Sequence, residues 1–334
     1  MNDGGHDAPR PIVIAHRGAS GYLPEHTLAA YAKAIELGAD FIEPDLVATA
    51  DGVLIARHEN ELAASTDVAQ RSEFASRRAV KHVNGVEREG WFSEDFTLAE
   101  IRTLRAREPR PAQRPDSARH DGRYGVPTFA EVVALAREAG VGIYPETKTP
   151  SYFLRDGRTL AGQPIGISLG RVLVETLVRE RYARADRVLL QSFEVGNLVE
   201  LARVILPAVG VALPLVQLFG RAGATPWDLR SGNVAPELAA LARPTPDVLE
   251  RRDTYAAVRA YASAIGIPRA FASDAALAHA RAAGLAVHVY TYRSEDFASA
   301  DACADAIRAD YARGVAAVFA DQPELAVCAR AALA

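Results

Sequence analysis

Cysteine is almost missing from this chain: 334 residues carry two, Cys303 and Cys328. Two thiols cannot build the disulfide framework of a small secreted domain, and no CxxC or clustered His/Cys pattern offers a zinc site. The two could pair with each other, but a pair of buried thiols is the simpler expectation. No stretch of about 18 apolar residues occurs, which excludes a transmembrane helix and stable membrane insertion. Positive charge is not in excess: 38 Lys and Arg stand against 42 Asp and Glu, a net charge of −4. No broad basic field is therefore available for a phosphate backbone, and nucleic acid is not an expected partner. The N-terminal MNDGGHDAPRP lacks the basic and apolar regions of a signal peptide. As written, the chain is expected in the cytoplasm, or in the periplasm if a signal peptide has been removed. No internal repeat of fixed period is evident, and nothing in the sequence bears on oligomeric state.

What remains is an ordinary globular composition, 49% hydrophobic and 24% charged, with a clear rhythm. Short apolar runs read as strands at Ile12–Ala15, Phe41–Val47, Val53–Ala56, Val141–Tyr144, Val188–Gln191, Val211–Leu218, Ala286–Tyr290 and Ala316–Phe319. Between them lie segments with helical spacing: Thr27–Leu37, Thr128–Ala139, Leu169–Tyr182, Val195–Leu206, Asp247–Ala262, Asp274–Ala283 and Ala302–Arg313. Thr27 and Thr128 suit N-caps, and Gly38, Gly140, Gly284 and Gly314 follow helices as terminating glycines. Alternating strands and helices predict a parallel sheet, and about eight units predict an α/β fold of the (β/α)8 TIM-barrel type, with an open doubly wound sheet as the alternative. Residues 1–334 then form a single barrel domain. Two stretches break the rhythm. The polar, Arg- and Pro-rich segment 59–125 reads as a small insertion after the second strand. Gly220–Pro246, which carries Trp227, reads as a lid or a wall of the substrate site.

In such barrels the C-terminal strand ends converge on one site. There the sequence places His16 and Arg17, Glu43 and Asp45, His58 and Glu59, Glu146 and Lys148, Gln191 and Ser192, His288, and Asp321. Glu43 and Asp45 are two apart, so their side chains leave a strand on one side. Two carboxylates on a buried face repel unless a cation lies between them. Glu146 from the next core strand completes a hard-oxygen set suited to one Ca²⁺ or Mg²⁺. The same acids could instead pair with Arg17 and Lys148. His16 and His58 are candidate acid and base, because imidazole titrates near neutral pH. Arg17 and Lys148 suit phosphate oxygens, and His288 is a further candidate for substrate contact. A divalent cation, two cations and two imidazoles point to phosphoryl transfer on a phosphodiester.

The motif His16-Arg17-Gly18-Ala19-Ser20-Gly21-Tyr22-Leu23-Pro24-Glu25-His26-Thr27 is long and specific. With Gly38-Ala39-Asp40, Glu43-Pro44-Asp45-Leu46, Asp51-Gly52, His58, Tyr144-Pro145-Glu146-Thr147-Lys148, Leu190-Gln191-Ser192-Phe193, Val287-His288-Val289-Tyr290-Thr291 and Phe319-Ala320-Asp321-Gln322-Pro323, it resembles the glycerophosphodiester phosphodiesterase family, most closely its bacterial periplasmic-type branch. The resemblance implies a barrel with an insertion after the second strand. It implies hydrolysis of small-molecule glycerophosphodiesters to sn-glycerol 3-phosphate and an alcohol. It maps metal ligands onto Glu43, Asp45 and Glu146, general acid/base onto His16 and His58, and phosphate-binding cations onto Arg17 and Lys148. It also implies attack by the glycerol 2-hydroxyl, giving a cyclic phosphate that water opens. The chain departs from the family pattern at Glu59, where Asp is common, at Ala63 and Ala64, near which an Arg often lies, and at Pro44 between the paired acids. Two rival functions follow from the same residues: a phospholipase C- or D-like hydrolase of lipid headgroups, and a phosphodiester-binding protein without catalysis.

Overall fold

The computed structural model describes residues 10–220, 225–231, 238 and 251–333. Eight parallel strands form its centre. In chain order they are Ile12–His16; Phe41–Glu43 continued by Asp45–Ala48; Gly142–Ile143 continued by Glu146–Thr147; Leu190–Ser192; Leu215–Leu218; Ala264–Pro268; Ala286–Tyr292; and Ala317–Ala320. Each pairs with the next, and the last returns to the first with Ile12 opposite Ala317. The sheet is therefore a closed barrel.

The second and third strands are each interrupted at a proline, Pro44 and Pro145, which has no N–H to give to the ladder. The pairing runs on regardless. The Tyr144 N–H donates to the Ile42 carbonyl at 2.9 Å, Glu146 N–H to Pro44 at 2.9 Å, and Lys148 N–H to Leu46 at 3.0 Å. Leu54–Ala56 then folds back antiparallel on the second strand, with Leu46 opposite Ala56.

Helices follow the strands around the outside. Thr27 and Thr128 cap theirs as expected; Thr128 forms a reciprocal capping box with Glu131, and Gly140 ends that helix at φ +70°. The main core lies between strands and helices, and a smaller one (Ile14, Tyr144, Val216, Phe319) fills the barrel interior below the site. Each such side chain contributes about 1.5–3 kcal/mol by leaving water.

The structure departs from the sequence reading at several points. Strand Ala264–Pro268 and the C-terminal helix Pro323–Ala331 were not anticipated. Within the polar stretch after the second strand, Ala79–Val83 and Val86–Gly90 form a two-stranded hairpin closing on Asn84 and Gly85, both with positive φ. Lys81 of this hairpin is buried against Glu94 at 3.0 Å and Asp95 at 2.6 Å. Cys303 is buried, but Cys328 is exposed and the two are not joined, which corrects the expectation of two buried thiols. Most of the Gly220–Pro246 lid or wall, with the start of the expected Asp247–Ala262 helix, lies outside the described residues. Of that region, Trp227–Arg230 forms one helical turn. The Trp227 ring sits on the hairpin tip, so close that a Cβ at Gly85 would lie 2.6 Å from it.

Candidate active site

A cavity of about 300 Å³ opens at the C-terminal ends of the strands. His16, Arg17, Glu43, His58, Glu146 and Lys148 all line it. Asp45 lies just beneath, 1% exposed. Glu43, Asp45 and Glu146 come together: each offers an oxygen within 4.8 Å of the others. Of the residues expected at the site, Ser192 does not line the cavity, its buried hydroxyl lying on the Thr147 carbonyl at 3.4 Å, and neither does His288. That imidazole is buried, does not line the cavity, and is hydrogen-bonded through Nδ1 to the Tyr144 hydroxyl at 2.7 Å. It supports the floor from below rather than facing a ligand.

The acids also pair with Arg17 and Lys148, the alternative the sequence left open beside a metal ion. Arg17 Nε lies 3.2 Å from Asp45, and Lys148 Nζ lies 2.8 Å from Glu146 and 3.8 Å from Asp45. Two cations do not neutralise the cluster evenly. Burial, then Asp45 and Glu146, raises the Glu43 carboxyl well above its ordinary range. Burial also raises Glu146 to about 8, against the pull of Lys148. Burial opposes ionisation of Asp45 too, but Lys148, His26 and Arg17 outweigh it and hold that carboxyl low. Asp45 Oδ1 and Gln191 Oε1 are buried with no hydrogen-bond partner. A buried hard-oxygen set with orphaned acceptors, two of its carboxyls pushed toward the neutral form by burial and by their neighbours, is an environment a divalent cation satisfies. Glu43, Asp45 and Glu146 thus form a cluster that could hold a metal ion.

The turn after the first strand is held for this purpose. Arg17 and His26 both adopt the left-handed region, at φ +61° and +58°, where a side chain is strained. Offsetting contacts hold them there. The Arg17 N–H donates to Glu43 at 2.8 Å, and its guanidinium contacts both oxygens of Glu25 at 2.9 and 3.1 Å. His26, fully buried, is hydrogen-bonded to Asp45 at 3.0 Å and to the Tyr31 hydroxyl at 2.8 Å. An acid of the cluster is thereby oriented by an imidazole behind it.

Each candidate acid/base histidine carries a carboxylate on Nδ1: Asp321 on His16 at 2.6 Å, and Glu59 on His58 at 3.0 Å. Glu59, a departure from the family pattern, therefore does reach its histidine. Burial and then Arg17 lower the His16 pKa to about 3; burial, Arg17 and Lys148 lower that of His58 to about 4. Both imidazoles are neutral near pH 7. With Nδ1 committed to Asp321, His16 presents Nε2 to the cavity.

Sequence reasoning missed Glu25 and His26, which sit inside the recognised motif, and Arg293, which lines the cavity and contacts Asp321 at 3.0 Å. Glu25 and His26 could have been found from the motif itself; Arg293 has no local signal.

Residues 16–325 match the Glycerophosphoryl diester phosphodiesterase family. A glycerophosphodiester phosphodiesterase of Arabidopsis thaliana is 37% identical over 201 residues, 58% of this chain and 53% of that one. One of Haemophilus influenzae is 33% identical over 225 residues, 62% of this chain and 56% of that one. The chain thus spans about half the length of these curated relatives. Two solved structures share the fold. A glycerophosphodiester phosphodiesterase from Agrobacterium tumefaciens has a TM-score of 0.61 and 20% identity, over 95% of this chain and 99% of that chain. A phosphodiesterase from Oleispira antarctica, in complex with the product sn-glycerol-3-phosphate, has 0.58 and 21%, over 96% of each. On the breadth of the family match, this chain belongs to the glycerophosphoryl diester phosphodiesterase family.

Proposed function

We propose that this protein hydrolyses glycerophosphodiesters to sn-glycerol 3-phosphate and an alcohol, with one Ca²⁺ or Mg²⁺ held by Glu43, Asp45 and Glu146. The observation that carries the reading is the convergence of three carboxylates, two cations and two carboxylate-backed imidazoles on one cavity. The named activities of the relatives, and the product bound to the Oleispira antarctica protein, support the substrate class.

The metal, when bound, supplies Lewis-acid charge to a phosphoryl oxygen. Arg17 and Lys148 hold the remaining phosphate oxygens, Arg17 by its planar fork and Lys148 as a point charge. One histidine takes the proton of the glycerol 2-hydroxyl as that oxygen attacks phosphorus; the other gives a proton to the departing alcohol oxygen. Water then opens the cyclic phosphate with the two roles exchanged. His16 and His58 are both neutral in the free protein, so the proton donor acquires its charge as the phosphodiester anion enters and offsets Arg17 and Lys148.

Release of sn-glycerol 3-phosphate from glycerophosphocholine, measured with Ca²⁺ and Mg²⁺ each supplied, tests the reading. His58→Ala is expected to cost about 10²-fold or more in kcat. An inactive parent with both metals, or an unaffected variant, would end it. Turnover of intact phospholipid in place of the deacylated diester would transfer the case to a lipid headgroup hydrolase.

A further inference from the structure

Arg114 lies in the Arg- and Pro-rich stretch between the hairpin and the helix Phe129–Ala139, far in sequence from every other residue of the site. It is buried, 6% exposed, in a segment with turn composition. Its local backbone delivers it there: Arg114 N–H donates to the Arg110 carbonyl at 2.9 Å, and Pro115 begins a short helical turn directly after it.

The guanidinium touches three different barrel loops. Nη1 donates to the Ser20 carbonyl at 2.9 Å, in the loop after the first strand. Nε donates to Glu295 at 2.6 Å, after the seventh. Nη2 donates to Asp321 Oδ2, after the eighth. Arg293 Nε meets the same Oδ2 at 3.0 Å. The opposite oxygen, Oδ1, is left to His16 Nδ1 at 2.6 Å. The two arginines thus fix both the position and the rotation of the carboxylate.

We infer that Arg114 is a positioning residue for His16: it locks Asp321 so that the imidazole keeps its proton on Nδ1 and directs Nε2 into the cavity. This rests on the reading of His16 as an acid/base group. It makes the segment after the second strand part of the reaction machinery rather than a cover over it. The other histidine has a weaker counterpart. Arg88 of the hairpin lies 3.5 Å from Glu59, but that pair is about 40% and 34% exposed and is screened by water. Buried and shared among three loops, the Arg114 contact is the one that holds geometry.

A carboxylate behind a functional imidazole that loses its own support costs about 10–100-fold in comparable outer-contact substitutions. Arg114→Ala is therefore expected to lower kcat on glycerophosphocholine by about 10–100-fold while KM moves less than about threefold. The phosphate-holding Arg17 and Lys148 are untouched in that variant. Added guanidinium ion at millimolar concentration is expected to restore part of the lost kcat, because it refills the vacated site. Arg114→Lys is expected to recover little, since a point charge cannot serve three acceptors in a plane. Arg119→Ala, an exposed arginine in the same segment, serves as the control and is expected to match the parent.

Loss of activity only in step with loss of folded protein by circular dichroism, with no guanidinium rescue, would overturn the positioning role. So would a rise in KM with kcat unchanged. If the parent itself has no activity with either metal, the reading of the site fails before this inference is reached; an active parent with an unaffected Arg114→Ala defeats the inference alone.

Discussion

Loading the acidic cluster with a divalent ion should release protons from the carboxyls that burial holds in their neutral form. In the metal-free protein burial and its two acidic neighbours raise the Glu43 carboxyl well above its ordinary range, and Glu146, raised to about 8, is mostly protonated at pH 7. Asp45 is already ionised. A cation bound among all three favours every carboxylate in its charged form, so binding at pH 7 should expel about one proton from Glu146. At pH 9 Glu146 has lost its proton unaided, and release should be smaller by about one proton than at pH 7. The apparent affinity should rise by roughly 5-fold or more from pH 7 to 8. Titration calorimetry of the chelator-stripped protein with Ca²⁺, run in two buffers of different ionisation enthalpy, counts the protons directly. The linked stability has a definite sign. Glu146 keeps a proton in the folded protein from its ordinary 4.5 up to about 8, so the metal-free fold loses stability as pH rises through that window and levels off above it. Saturation with metal at a hundredfold over Kd should add about 2.7 kcal/mol, which for a chain of this length moves Tm by roughly 4 °C. Proton release near zero at pH 7, with an affinity indifferent to pH, would mean that Lys148 and Arg17 already ionise the cluster. The protonation argument would then fall, whereas no binding of Ca²⁺ or Mg²⁺ at all would remove the metal assignment.

Three further outcomes are expected. Arg17→Lys should lower kcat/KM by about 10-fold or more, because a bidentate fork on phosphate is replaced by a point charge while the Glu25 and Asp45 contacts are lost together; steady-state kinetics on glycerophosphocholine reads this, and unchanged kcat/KM would contradict it. Lys81→Ala should leave Glu94 and Asp95 buried without their cation and cost about 3–5 kcal/mol, seen as a lower denaturation midpoint and faster proteolysis between residues 59 and 125; an unchanged midpoint would refute it. Arg57 is fully buried with Nε and Nη2 unpartnered and only long contacts, 3.3 and 3.5 Å, from Nη1. Arg57→Met should therefore cost less than about 1 kcal/mol or stabilise the fold, and a loss above about 3 kcal/mol by chemical denaturation would overturn that accounting.

What the sequence showed and hid divides by range. Helix ends are set within a few residues, and Thr27, Thr128 and Gly140 were legible because capping is local chemistry. Strand Ala264–Pro268 was not, because Gly266 and Pro268 read as turn residues. The glycine is there for tertiary reasons: a Cβ would lie 2.4 Å from the Leu218 side chain of the neighbouring strand. The hairpin at Ala79–Gly90 carried a readable signal in Asn84-Gly85, both with positive φ, but its faces are polar and only one side meets the core, so no apolar alternation announced it. The second strand was read as continuous across Pro44, and the third as Val141–Tyr144, short of its continuation at Glu146–Thr147, because an apolar pattern cannot show pairing that resumes beyond a proline.

The same division runs through the site. Glu43, Asp45, Glu146, His16 and His58 were legible because barrel topology sends the ends of successive strands to one mouth, so position along a strand is enough. His288 met the same criterion and still lies below the cavity, because it stands lower on its strand, opposite Ala317 and two residues before the level of the cavity-lining Phe319, with its imidazole on the buried Tyr144. The residues that orient the chemical groups obey no such rule. Glu25 and His26 act from a strained turn, Arg293 from a loop, and Arg114 from a segment whose composition gives no hint of burial. Their partners are set by where separate loops meet. The charges that react can therefore be read from one strand at a time, whereas the charges that aim them exist only in the folded molecule.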